Sequence, residues 1–202
     1  MRLSLFFGLL LMTSSYTTVN ASDTAKDKDL LLTEFTESSA DLGWYVVNDN
    51  VMGGRSEGDF TQSRGEISFT GRTNTRGGGF SSIRTQNLRL DLSKHAGIRL
   101  QVKGDGRRYT WRLTTTPRWR GREVSYWADF DTQEGEWQTV DIPFSSFVPR
   151  FRGYELKGPP LDSRRITGMG LMIYDSLDGP FELQLASVHA YQAKTESDSG
   201  GS

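Results

Sequence analysis

Ile98-Arg99-Leu100-Gln101-Val102-Lys103-Gly104-Asp105-Gly106-Arg107-Arg108-Tyr109-Thr110-Trp111-Arg112-Leu113 is the stretch that decides the fold class. Ile98, Leu100 and Val102 alternate with Arg99, Gln101 and Lys103, the two-residue period of a strand with one buried face. After Gly104-Asp105-Gly106 the alternation resumes, with Tyr109, Trp111 and Leu113 on one parity and Arg108, Thr110 and Arg112 on the other. The pair reads as a hairpin closed by that glycine-rich turn. Outward from it, Val124, Tyr126, Ala128 and Phe130 form a third alternation, and Val140 with Ile142 a fourth, across the turn-rich Asp131–Gly135. Further strands are expected at Glu66–Thr70, Gly79–Arg84, Met169–Tyr174 and Phe181–Tyr191. No internal repeat and no helix-period stripe interrupts them. The expected fold is all-β, a two-sheet antiparallel sandwich or jelly roll rather than a closed barrel.

The ends set the domain limits. Arg2, the apolar run Leu3–Met12 and the small residues leading to Val19-Asn20-Ala21 have the layout of a secretory signal cut after Ala21. The apolar run is about half of the roughly 20 residues that a spanning helix needs. Export to a periplasm or secretion is therefore expected, with no membrane insertion of the mature chain. Residues 22–32 read as a flexible segment and 193–202 as a disordered tail, leaving one domain over 33–192. With no cysteine in the chain, packing alone must hold that domain. The formal net charge of −1 implies no general polyanion field and no nucleic-acid partner, and the arginines crowding 107–152 read as solvated surface.

Parity also separates core aromatics from others. Trp127 falls with Glu123, Ser125 and Asp129, opposite Tyr126 and Phe130; Trp137 falls opposite Val140 and Ile142. Arg112 and Trp127, with the Trp119 loop and Arg152, form the candidate ligand surface: aromatic area to stack on beside planar guanidinium donors. The competing reading is a Trp127 covered by a loop as secondary core. Catalytic signals are weak. His95 and His189 lie in no recognisable motif, and spacing identifies no paired acids. Asp129 and Asp131 share one strand face, but an isolated D-x-D is a poor signal for calcium. The glycines at 53–54 and 77–79 are not followed by a phosphate-loop Lys-Ser/Thr. No catalytic residue, metal or cofactor is assigned.

Two segments carry a resemblance. Asn48-Asp49-Asn50-Val51-Met52-Gly53-Gly54-Arg55-Ser56 and, further on, Gly78-Gly79-Phe80-Ser81-Ser82-Ile83-Arg84 are similar to the paired hallmarks of the complex I intermediate-associated protein 30 family. Val102–Arg107, Trp137-Gln138, Ile142-Pro143-Phe144, Phe151-Arg152-Gly153 and Gly179-Pro180-Phe181 continue the similarity over about residues 33–192. The resemblance implies a galactose-binding-like jelly roll, an architecture shared with many carbohydrate-binding modules. It also implies a role in assembling respiratory complex I, with no established catalytic residues. Asn48, Asp49, Met52, Gly53, Gly54, Ser56, Gly78, Gly79, Phe80 and Arg84 are the motif residues, structural or functional.

Three functions follow as alternatives: a noncatalytic module binding a glycan or other extracytoplasmic ligand, a scaffold for an envelope or membrane-protein complex, and a carboxylate-dependent hydrolase. The export expectation has a direct check. Intact-mass measurement of the exported product should give a chain beginning at Ser22; one that keeps Met1 and stays with the membranes contradicts it.

Overall fold

Residues 29–193, apart from residue 64, are described by a computed structural model. The segments read as signal peptide (1–21) and tail fall outside the described residues, except for Ala193. Thirteen strands follow in order: β1 Leu30–Glu34, β2 Tyr45–Asn48, β3 Glu57–Ser63, β4 Glu66–Thr73, β5 Ser81–Arg84, β6 Gly97–Lys103 and β7 Arg108–Trp119. β8 is Arg122–Asp131, β9 Trp137–Pro143, β10 Val148–Phe151, β11 Tyr154–Glu155, β12 Ile166–Ile173 and β13 Gly179–Tyr191. They form two antiparallel sheets, as the alternation indicates. The first runs β3-β4-β13-β6-β9, with β1 also on β13; the second runs β11-β10-β8-β7-β12-β5-β2.

Inward-facing residues of both sheets make one core. Ile67, Phe69, Ile98, Leu100, Val102, Leu183 and Leu185 face Ile83, Tyr109, Trp111, Leu113, Tyr126 and Leu171, and all are buried. Each such large apolar side chain contributes about 1.5–3 kcal/mol on burial. The Tyr109 hydroxyl donates to Asp105 at 3.1 Å, and burial, followed by the neighbouring carboxylate, pushes its pKa well up. It therefore stays protonated as a donor.

Two sequence expectations are corrected. First, β6 and β7 are not a hairpin: β6 pairs with β13 and β9, and β7 with β8 and β12. Alternation records only which side chains face the core, and both strands satisfy it from opposite sheets. Gly104-Asp105-Gly106 is the crossing. There the Thr132 hydroxyl donates to the Arg107 carbonyl at 2.8 Å and accepts from the Gly106 N–H at 3.1 Å. Asp105 accepts from the Glu182 N–H of β13 at 2.8 Å. A Cβ at Gly104 would sit 2.4 Å from the Thr132 side chain, so this crossing requires glycine. Second, the segment read as flexible contains the start of β1, which pairs Leu30 with Ala190 and Leu31 with His189. The arginine-rich middle is only partly solvated surface. Arg107 grips Asp175 through two nitrogens, at 2.6 and 2.8 Å, and donates to the carbonyls of Leu177, Gly179 and Pro180.

Candidate functional site

One cross-strand row defines the outer face of the second sheet. Tyr45 of β2 pairs with Arg84 of β5, Arg84 with Gly170 of β12, Gly170 with Arg112 of β7, Arg112 with Trp127 of β8, and Trp127 with Val148 of β10. Directly paired residues share a face. Because Tyr109, Trp111, Leu113, Tyr126 and Ala128 take the core side, this row takes the other. Gly170 keeps its middle low: a Cβ there would lie 3.2 Å from the Cγ atoms of both Arg84 and Arg112, and 2.6 Å from the Ile83 carbonyl oxygen.

A groove of about 710 Å3 follows the row toward Trp127, and a second basin of about 620 Å3 extends it the other way; both are lined by Arg84 and Arg112. Met172 and Tyr174 of the β12 end contribute to the first, and Arg152 with Gly153 closes its Trp127 end. Trp127 is half-buried and held on three sides. Its indole N–H donates to Ser125 Oγ at 2.7 Å, Tyr174 meets it edge-on at 5.9 Å, and the Arg150 guanidinium carbon lies 5.4 Å from its ring centre. The polar edge of the indole is therefore already engaged and the Arg150 guanidinium lies over the ring, so a ligand would stack on the ring area that these contacts leave. Arg112, expected to stand outward in solvent, is only 8% exposed, on the groove floor. Arg84 Nε donates to Ser82 Oγ at 2.8 Å, which orients its guanidinium.

Of the four residues singled out for the ligand surface, the structure gathers Arg112, Trp127 and Arg152 in one groove and leaves out Trp119. Trp119 packs against the core margin with Arg120 stacked over it at 4.4 Å. Trp119 lies farther along β7 than Arg112, past the register shift between Thr114 and Arg118, and so stands outside the cross-strand row. Asp129 accepts from Thr110 Oγ1 at 2.6 Å and Asp131 pairs with Arg108 at 2.8 Å; that hydrogen bond holds the Asp131 carboxyl below its usual range. Each carboxylate of the D-x-D pair thus has a protein partner of its own. Among the described residues no group of three His, Cys, Asp or Glu side chains is placed to hold a metal.

The wall beside the groove is built by a buried carboxylate. Asp49 is fully buried and accepts from the Ser56 N–H at 2.8 Å, Ser56 Oγ at 2.7 Å, the Gly79 N–H at 2.6 Å and the Phe80 N–H at 3.4 Å. Two loops are thereby tied to one side chain. A Cβ at Gly54 would stand 2.1 Å from Asp49 Cγ, and one at Gly78 2.6 Å from Asp49 Oδ2. Gly53 and Gly79 take φ of +87° and +94°, the left-handed region that favours glycine. Asn48 adds a second tie, accepting from Ser81 Oγ at 2.6 Å and donating to the Gly58 carbonyl at 3.1 Å. The motif residues divide accordingly: Asn48, Asp49, Gly54, Ser56 and Gly79 form the clamp, whereas Met52, Phe80 and Arg84 line the groove that it shapes.

The sequence profile of complex I intermediate-associated protein 30 (CIA30) matches residues 33–185. This chain belongs to the CIA30 family. An uncharacterized protein of Schizosaccharomyces pombe is 34% identical over 166 residues, covering 72% of this chain and 76% of that protein. The mouse protein named complex I intermediate-associated protein 30, mitochondrial, is 27% identical over 170 residues; the match takes in 73% of this chain but only 52% of the mouse protein. Among solved structures, a family 11 carbohydrate-binding module of a Clostridium thermocellum cellulase superposes with a TM-score of 0.61 at 16% identity, covering 84% of this chain and 98% of that one. The module from that organism in complex with a β-1,3-1,4-mixed-linked tetrasaccharide gives 0.60 at 17% identity, covering 83% and 98%. A family 30 carbohydrate-binding module gives 0.53 at 15% identity, covering 87% and 94%. At these identities the likeness establishes the fold of the CIA30 chain and nothing finer.

The clamp predicts a stability effect. Gly54→Val forces the Asp49 carboxylate out of its four hydrogen bonds, and thermal melts should show a loss of about 5–10 °C, roughly what 2–3 kcal/mol does in a domain of this size. An unchanged melt would mean that the clamp holds nothing.

Proposed function

We propose that this CIA30 chain is a noncatalytic binding module that takes an extended glycan across the outer face of its second sheet. The row from Tyr45 through Arg84, Gly170 and Arg112 to Trp127 is the observation that carries the reading. Strands about 4.8 Å apart give this five-strand row a length of about 19 Å, suited to a chain of sugars rather than one. Pyranose rings present apolar C–H faces that stack on an indole, and their hydroxyls accept from guanidinium groups. The fold supports the reading, since a module of the same architecture was solved with a tetrasaccharide. Among the described residues neither basin is lined by Asp or Glu, so none of those residues supplies an acid pair for glycoside hydrolysis there.

In this reading the chain is exported, and its ligand is a polysaccharide of the cell envelope or its surroundings. Among the described residues no helix is long and apolar enough to cross a membrane. A second reading, a scaffold for a respiratory complex I-like assembly, is supported by the name of the mouse relative and by the exposed apolar tips Val51 and Met52, 69% and 50% exposed.

Trp127→Ala separates the two functions. On the polysaccharide that retards the protein most in affinity gels, the variant should bind more than about fivefold more weakly, the equivalent of about 1 kcal/mol lost at an anchor. Its melting temperature should fall by only a few degrees, because Trp127 is half-buried rather than core. Undiminished glycan binding by Trp127→Ala contradicts the groove as the site.

A further inference from the structure

We infer that the groove reads the end of a saccharide chain, seating the terminal unit on Trp127, rather than an internal stretch; this rests on the glycan reading above and narrows it. The basin at Trp127 is walled on two facing sides. On the β2 side stand Val51, Met52 and Phe80, held by the Asp49 clamp. On the β10 side stands the turn that joins β10 to β11, with Arg152 and Gly153 in the lining. Strands β7 and β8 separate β10 from β12, so those two lie about 14 Å apart across the sheet. Yet a Cβ at Gly153 would lie 3.7 Å from the hydroxyl oxygen of Tyr174, the residue that follows β12. A tyrosine side chain is too short to span that separation alone. The turn therefore leans back over the outer face and overhangs Trp127.

The overhang has a defined geometry. β10 and β11 pair Phe151 with Tyr154, which leaves Arg152 and Gly153 as a two-residue loop with φ of +50° and +84°. Positive φ at both central residues is the hairpin turn whose twist matches that of its strands. Arg150 adds a tie: it donates to the Gly153 carbonyl at 2.9 Å while its guanidinium lies over the Trp127 ring, so one side chain joins the turn to the aromatic platform. Tyr174 meets the same ring edge-on from the β12 side. A saccharide stacked on Trp127 thus has the turn and Tyr174 in the way of any further unit. In the other direction the floor continues. Gly170 leaves it low between the two basins, and the farther basin reaches the exposed residues Gln86, Asn87 and Thr116. With one end blind and the other open, the groove admits a chain by its terminus, and the rest of the polymer leaves over Gly170.

Calorimetric titration of the protein with mixed-linked β-glucan, xylan and polygalacturonate, each before and after partial hydrolysis, tests the inference. Hydrolysis multiplies the chain ends, which a reducing-sugar assay counts, and leaves the mass of polymer the same. At least one polymer should bind, and for it the binding sites per gram should rise by the same factor as the chain ends, with the affinity of each site unchanged. An intact long chain should take up a single protein molecule. Sites per gram that stay constant through hydrolysis, or an intact chain that takes up many protein molecules along its length, overturn recognition of the terminus and leave the glycan module standing. If none of the polymers binds in either form, both readings fall.

Discussion

The site depends on one buried carboxylate. Asp49 gathers donors from two loops that are far apart in sequence, Ser56 on one side and Gly79 and Phe80 on the other. A buried carboxylate is tolerable only when its oxygens are satisfied, and here backbone N–H groups and a serine hydroxyl satisfy them. The arrangement restricts its neighbours: nothing larger than glycine fits at 54 or 78. What the molecule gains is a rigid wall. Val51, Met52 and Phe80 are held over the outer face of the second sheet, turning the face into a groove.

The floor of the groove obeys a different constraint, strand register. A one-residue slip of β7 against β8 would exchange Arg112 for Trp111 or Leu113 on the outer face and send the guanidinium into the core. Register is therefore fixed by the same core residues that stabilise the sandwich, Tyr109, Trp111 and Leu113 against Tyr126, Ala128 and Phe130. Core packing and groove composition are two faces of one alignment. Gly170 joins them, since its missing side chain lets the arginine stems approach over the Ile83 carbonyl.

Much of this is legible in the sequence, for physical reasons. Alternation is a local property, so the inward sides of β6, β7 and β8 and the outward parity of Arg112 and Trp127 can be read directly. Which sheet each strand joins is not local, and the glycine turn at 104–106 looks the same whether it closes a hairpin or crosses between sheets. β3 escapes the reading because Glu57–Ser63 contains a single large apolar residue, Phe60; β1 escapes it because Leu30–Leu32 adjoins a charged run. Trp119, read as part of a loop adjoining the face, is instead the last residue of β7 and packs against the core margin, because β7 continues past a register shift that leaves no trace in the sequence. Tyr45, Gly170 and Tyr174 do not stand out as site residues. The one available signal is Gly170 itself, a glycine inside an apolar strand, which marks a close approach of other groups.

The five tryptophans make the central claim measurable, because they sit in different places: Trp127 in the groove, Trp111 in the core, Trp119 at the core margin, Trp44 beside Phe35, and Trp137 exposed on the first sheet. Indole N–H resonances of the 15N-labelled protein, followed while the best-bound oligosaccharide is added, report on each separately. The account predicts a saturable shift of the Trp127 resonance with Trp137 and Trp119 unmoved. A titration that shifts Trp137 or Trp119 and leaves Trp127 in place would contradict it.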